Sequence, residues 1–432
     1  MDGFFFTGEQ LQLPQLRFSA SSLQARHQDA RKGLKLYGPY DALRLGKNKI
    51  RCALIYPKSL IDIKQTIVRG LTNGVEAFMG FQSLFRVPLE FIGEREIQNE
   101  DVCKVEKEIK ATILYENPDI VIMTTTVRNE LIYAKVKSLL LGNGIPSQVV
   151  TAEKLRNTKG LPWILENIAL QIYAKIGGTP WTVMSSSPKG ELVIGVSRAI
   201  DKRRNYIIGF ITLFSYDGDY LLFYSLAPRP IEWQKLDEYR NALSQLIVDA
   251  YREYERYHGK PSSLVIHLCK RPGRFREIAA VEQALQEIGF DLPFALIHLN
   301  DDTNYRLFDT GHPTYVPQTG IKVDINPYTA LLLLDGRVPD GTGQEVRRKR
   351  GVPKVLEVYM DKRSTFPLDE FPRLVQQVFE FARVNWRGFN AQTIPATLNY
   401  SYLVARLVSE IGIDDWNHII SAGALRDKAW FL

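Results

Sequence analysis
The sequence predicts an α/β protein in two consecutive parts. Short apolar runs alternate with amphipathic helical patterns from Ile50 to Gly178, as in a mostly parallel sheet covered by helices. After Thr179-Pro180-Trp181 three strand patterns follow one another directly, and a long amphipathic helix comes next. The 432 residues are 45% hydrophobic and 24% charged, which is ordinary for a soluble globular chain of about two domains.

The elements can be taken in order. Residues 1–38 are polar and weakly patterned, with Arg17-Phe18-Ser19 as a short strand, and Gly38-Pro39-Tyr40 is a break. Ile50–Tyr56 predicts a strand and Ser59–Leu71 a helix with Ser59 as N-cap. Leu89–Phe91 opens a short strand. Val102–Tyr115 carries apolar residues at 102, 105, 109 and 113 and predicts a helix. Ile120–Met123 is a buried strand after the Asn117-Pro118 turn. Asn129–Leu141 and Pro162–Ile176 predict helices ended by glycines, with the strand Ser147–Val150 between them. On such sheets ligands bind beyond the carboxyl ends of the strands.

In the second part Leu192–Ile200, Tyr206–Phe214 and Tyr220–Ser225 predict strands, with Asp217-Gly218 as a hairpin turn. A helix is expected over Pro230–His258, a strand at Ser263–Leu268, a helix at Phe275–Ile288 and a strand at Phe294–Leu299. Three antiparallel strands, a helix, then further strands and helices is the order of a ribonuclease-H-like domain. Strands at Tyr315, Ile321–Asp324, Ala330–Leu334 and Lys354–Tyr359 follow. Helices at Leu368–Val384 and Tyr400–Ile411 close the chain.

Composition excludes several classes. No apolar run approaches the ~20 residues of a membrane span, and Phe4-Phe5-Phe6 lacks the flank of a signal peptide, so a cytoplasmic location without membrane insertion is expected. Cys52, Cys103 and Cys269 form neither a disulfide framework nor a zinc motif, and the six histidines are dispersed. A net charge of +7 favours a polyanionic partner only weakly.

Two helical patches stand out. Tyr133 and Lys137 share one helical face, as do Gln171 and Lys175. Either pair alone reads as a solvated face. Two lysines, a phenol and two amides, Gln148 included, would together suit a phosphate monoester.

The run Ile145-Pro-Ser-Gln-Val, followed by Ile168-Ala-Leu-Gln-Ile-Tyr-Ala-Lys-Ile-Gly-Gly-Thr-Pro-Trp181, resembles Argonaute proteins. The likeness continues through Ile194-Gly195, Leu264-Val-Ile-His267, Arg350-Gly-Val-Pro353, Asn385-Trp386, Pro395-Ala-Thr-Leu-Asn-Tyr400 and Trp430-Phe-Leu432. It is strongest to prokaryotic short Argonautes, which keep only MID and PIWI domains. The resemblance implies a Rossmann-like MID domain over 39–180 and a ribonuclease-H-like PIWI domain over 181–432. Residues 1–38 are then a candidate segment for packing on PIWI. It also implies that Tyr133, Lys137, Gln148 and Lys175 hold a guide strand's 5′ phosphate. Gln171 and the carboxylate of Leu432 match positions that hold a Mg²⁺ ion there.

Slicing Argonautes hold two Mg²⁺ ions about 4 Å apart with carboxylates. Here Ser197, Cys269 and Tyr402 stand where such ligands belong, and all three are poor Mg²⁺ ligands. Asp201 is too far along its strand to substitute, and Glu232 reads as a helix-start residue. No catalytic residue is therefore assigned, and nuclease activity is not expected. Lys270, Arg271, Arg274, Arg276, Arg387 and the run Arg347-Arg-Lys-Arg350 are candidate nucleic-acid backbone contacts.

The family reading is a catalytically inactive binder of guide RNA (or guide DNA) that finds complementary target DNA and signals to a separate effector, an APAZ-type partner, in defence against invading DNA. Two alternatives differ in class. One is a slicing endonuclease with a rearranged metal site. The other is a protein scaffold that has lost guide binding.

Overall fold
The structure, a computed structural model, describes residues 8–42, 45–200, 206–214, 220–225, 230–231, 236–289, 291–339, 345–347, 351–390, 392–412, 415–416, 419 and 428–432. Asp201, Asp217-Gly218, Glu232 and residues 348–350 lie outside these.

The first part is a four-stranded parallel sheet in the order β2-β1-β3-β4, with β1 at Ile50–Pro57, β2 at Leu89–Ile97, β3 at Ile120–Thr125 and β4 at Ser147–Thr151. Every residue of β3 is buried, which suits its continuous Ile-Val-Ile-Met run between two layers of helices. The helices are α1 (Ile61–Asn73), α2 (Val102–Glu116), α3 (Glu130–Gly142) and α4 (Leu161–Lys175). Asn129 caps α3 by accepting from the Leu131 and Ile132 amides, and Pro162 sits in the first turn of α4, where its missing N–H costs nothing. Ser59 does not cap α1. It lies in a 3₁₀ turn at Lys58–Leu60, and no side chain caps the helix that follows.

The second part is a large mixed sheet. Its strands are β5 (Glu191–Ile200), β6 (Tyr206–Phe214), β7 (Tyr220–Ser225), β8 (Pro230–Ile231), β9 (Ser263–Leu268), β10 (Phe294–Asn300), β11 (Ile321–Asn326), β12 (Thr329–Leu332) and β13 (Leu356–Met360). The order is β11-β12-β13-β10-β9-β5-β6-β7, with β8 on β6 and Gly8–Gln10 pairing antiparallel on the outside of β11. β5 pairs antiparallel with β6 and parallel with β9, and β9 pairs parallel with β10. This is the ribonuclease-H-like order, and the chain as a whole is a mixed α/β fold.

The helices here are α5 (Leu236–His258), α6 (Ala279–Ile288), α7 (Phe371–Phe381) and α8 (Ala396–Ile411). Strand parity sorts the two faces. Leu192, Ile194, Val196, Leu264, Ile266 and Leu268 pack with α5 and α6, while Val193, Ala199 and Val265 face the core shared with α7 and α8. Gly195 is required by α8: a Cβ there would lie 2.2 Å from the Thr397 carbonyl oxygen.

Several predicted boundaries shift. Pro230–Ile231 is an edge strand on β6, where proline's missing donor is tolerated, so α5 starts at Leu236. Arg274–Ile278 forms a π-helical turn before α6. Tyr315 is in no strand; its φ of 56° is the left-handed region. α8 begins at Ala396, directly after Pro395, which fixes its entry. Among the described residues no helix is long and apolar enough to cross a membrane.

Candidate anion-binding site
A cavity of ≈ 420 Å³ opens between the two parts, at the carboxyl ends of β3 and β4 and against α8. It brings together Tyr133, Lys137, Gln148, Gln171, Lys175, Arg387 and Leu432, which are scattered over 300 positions of sequence. The chain's last residues reach it because Trp430 and Phe431 are buried. Trp430 packs on Trp416, Phe431 on Tyr400, and the Ala429 amide donates to the Ala174 carbonyl of α4.

The two lysines define its chemistry. Lys137 is 2% exposed and Lys175 1%. Both ammonium groups donate to one acceptor, the Ser147 carbonyl, at 2.7 and 3.0 Å, and Lys175 also donates to Gln148 Oε1. Among the described residues neither makes an ion pair with a carboxylate. Burial pulls Lys137 down to about 7, with the charge of Glu410 acting the other way. Burial also holds Lys175 well below the usual lysine range, helped by the neighbouring charges of Lys137 and Arg387. The Lys137 ammonium lies 5.6 Å from the Tyr133 ring centre, and burial pushes the Tyr133 phenol up to about 12, so it is a neutral donor. Two cations desolvated side by side are costly, and an anion placed between them would offset that cost.

Gln171 and Asn167, four apart on α4, grip the loop that carries Arg387. The Gln171 amide donates to the Arg387 carbonyl at 2.7 Å, and the Phe389 amide donates to Asn167 Oδ1 at 3.4 Å. Gln171 thus keeps its amide oxygen for another partner. That hard oxygen and Leu432, in the same wall, are the groups that could hold a Mg²⁺. Among the described residues no group of three or more His, Cys, Asp or Glu side chains could hold a metal.

Sequence reasoning missed Arg128, Arg406 and Glu410, which also line the cavity. Arg128 Nη2 donates to Glu410 Oε1 at 2.8 Å and Arg406 Nε to the same oxygen at 3.1 Å. The available signal was the i,i+4 pair Arg406/Glu410, which is indistinguishable from a solvated helix face.

Ser197, Cys269 and Tyr402 lie elsewhere, on the α8 face of the large sheet. Ser197 and Cys269 are neighbours on β5 and just beyond β9. The Cys269 amide donates to the Val196 carbonyl at 3.3 Å, and burial pushes the Cys269 thiol up against an opposing hydrogen bond from Ser197. Arg198 and Lys270 bring positive charge to the thiol. Tyr402 is 41% exposed on α8, beside Ser401, whose hydroxyl donates to the Gly195 carbonyl at 2.8 Å. Lys270 pairs with buried Glu277 at 2.9 Å, and Arg271 with Glu357 at 3.4 Å over the Tyr359 ring. Neither lines the cavity. Arg274 lies over the Phe275 ring, and Arg347 pairs with Asp335.

A ribonuclease-H-like sheet is thus joined to a parallel-sheet part, with a basic cavity between them. The Piwi-domain family model matches residues 120–411, and the chain belongs to this family. It is 26% identical to the "Protein argonaute" of Cereibacter sphaeroides over 93% of this chain and 56% of that one, and 23% identical to the "Piwi protein" of Archaeoglobus fulgidus over 93% of each. In fold it resembles Clostridium butyricum Argonaute bound to a guide DNA and a 19-mer target DNA (TM-score 0.72, 17% identical, 94% of this chain and 53% of that one). It also resembles Drosophila Piwi (TM-score 0.68, 16% identical, 98% and 56%). The chain therefore spans about half the length of several relatives and most of the Archaeoglobus protein.

Proposed function
We propose that this protein captures the 5′ phosphate of a guide strand and uses that strand to find complementary nucleic acid. The observation that carries the proposal is the pair of buried lysines, Lys137 and Lys175, sharing one carbonyl without a carboxylate counter-ion among the described residues. A phosphate monoester brings nearly two negative charges and several acceptor oxygens. Tyr133 and Gln148 complete the donor set, and Arg387 stands at the wall for the following backbone. A 5′-hydroxyl end would leave both ammonium groups without an anion, so the pocket selects phosphate. Gln171 and the carboxylate of Leu432 would hold a Mg²⁺, which supplies further neutralisation of the phosphate charge.

The reading extends to function in the cell. Residues 39–180 serve as the MID domain, 181–432 as a PIWI domain that does not cut, and 1–38 as a segment joined to PIWI. Ser197, Cys269 and Tyr402, with Arg198 and Lys270 close to the thiol, support a centre without bound metal. The guide is RNA or DNA and the target DNA, the protein acts in the cytoplasm against invading DNA, and a separate effector protein reads out target recognition.

The test compares 5′-phosphorylated and 5′-hydroxyl oligonucleotides in direct binding. Strong preference for the phosphate is expected, and equal affinity sinks the proposal. Guide-loaded protein with matched target and Mg²⁺ or Mn²⁺ should leave the target intact. Cleavage opposite the guide overturns the inactive assignment. Sequencing nucleic acid that co-purifies with the protein identifies the guide, and a pulldown identifies the effector.

A further inference from the structure
Among the described residues lining the cavity, Glu410 supplies the lone acidic side chain. Its Oε1 accepts from Arg128, at the entry of α3 in the first part, and from Arg406, one turn back on α8 in the second part. One carboxylate oxygen thereby holds two guanidinium groups across the cavity mouth. Its side chain is mostly buried, while those of Arg128 and Arg406 are half-open to solvent. The arrangement has the form of an anion site whose anion is part of the protein. The arginines present planar donor forks that suit a phosphodiester as well as a carboxylate.

We propose that Glu410 is an internal competitor: it occupies Arg128 and Arg406 while the cavity is empty, and a backbone phosphodiester of the bound strand takes its place. This rests on the 5′-phosphate reading above and deepens it. Two consequences follow. The ligand class is a 5′-phosphorylated strand with at least one internal phosphate, and a nucleoside 5′-monophosphate cannot displace Glu410. Loading also trades an ion pair bridging the two parts for a pair of ligand contacts, so a bound strand becomes the bridge between them.

The test uses the full chain and its Glu410→Gln variant, with a nucleoside 5′-monophosphate and a 5′-phosphorylated oligonucleotide as probes. Removing the competing charge should tighten oligonucleotide binding about fivefold more than it changes monophosphate binding, which reads by itself the effect of the Glu410 charge on Lys137. Glu410→Asp, which keeps the charge but is shorter, should fall between the two and guards against a fold defect in the first variant. Weaker oligonucleotide binding by Glu410→Gln would show that the carboxylate pre-positions the arginines, and would overturn the proposal. An equal gain for both probes would show a general charge effect and also overturn it. If the unaltered protein binds 5′-phosphate and 5′-hydroxyl strands alike, the 5′-phosphate reading itself has failed. That outcome is distinct from any result with Glu410 variants.

Discussion

Among the described residues, the lysines withdrawn from water fall into two kinds. Lys270 is paired with buried Glu277 at 2.9 Å, and Lys322 with Glu9 at 2.6 Å and Asp324 at 3.0 Å. Burial pulls Lys322 down, yet its bonds to Glu9 and Asp324 raise it overall. Lys137 and Lys175 are buried at least as deeply and share a carbonyl, and burial moves both down. The same chain can therefore provide a carboxylate to a buried lysine and does so in one place and not in the other. The difference separates a structural ion pair from a site completed from outside.

The largest way to break this comparison is to remove the unpaired charges while keeping their volume. The double variant Lys137→Met, Lys175→Met should lose binding of 5′-phosphorylated strands about 100- to 1,000-fold, from two charge-assisted contacts. Its melting temperature should stay level or rise, because two buried amines without counter-ions, each costly to bury charged or to strip of its proton, are replaced by apolar groups. The same change at Lys270 should lower stability, since it leaves Glu277 buried and unpaired. Retained binding in the double variant would show that the cavity is not the phosphate site.

Next in size is an effect at the sheet centre. Gly195→Ala drives a methyl group into the Thr397 backbone, which cannot give as a side-chain tip would. A loss of about 1–3 kcal/mol is expected, read by denaturant midpoint. Because α8 carries Arg406 and Glu410, phosphate binding should weaken with it while Lys137 and Lys175 remain in place. An unchanged midpoint would show that α8 moves freely on β5.

The pH dependence sharpens the contrast further. Between about pH 7 and 10.5 the unfolded chain keeps a proton on Lys137 that the folded chain has released, so this group makes stability rise with pH across that window. Binding runs in the opposite direction. The phosphate needs the ammonium form, so affinity should fall by up to about tenfold per pH unit above 7, with proton uptake visible as a buffer-dependent binding enthalpy. A flat profile from pH 7 to 9 would mean that Lys137 stays charged in the empty cavity.

How much of this was legible in sequence follows from range. The alternation of strands and helices rests on local periodicity and is found as expected; Tyr133, Lys137, Gln171 and Lys175, paired by the same periodicity, line one cavity. The joining of these two faces to Gln148, Arg387 and Leu432 was suggested by family resemblance, not by spacing. Arg128 and Glu410 were missed because a pair 282 positions apart leaves no local pattern. Local pattern makes Pro230 a helix start, whereas pairing with β6 makes it an edge strand. Residue type alone suggests a strand at Tyr315, but its left-handed backbone closes a turn, the Tyr315 amide donating to the His312 carbonyl at 2.9 Å.

The smallest expected effect separates two roles that Gln171 could combine. Its amide nitrogen donates to the Arg387 carbonyl, a neutral hydrogen bond of about 1 kcal/mol, so Gln171→Ala should weaken strand binding about fivefold through the displaced Arg387 loop. If its oxygen also holds Mg²⁺, the variant should no longer respond to added Mg²⁺, while the unaltered protein loses affinity on chelation with EDTA. If the Mg²⁺ response persists in Gln171→Ala, the residue acts only as a clamp on the loop. Asn167→Ala is the control, since it loosens the same loop at Phe389 and offers nothing at the Gln171 position. A drop in affinity shared by both variants, with Mg²⁺ dependence lost only at Gln171, would place the ion beside the buried lysines, on the phosphate whose charge they share.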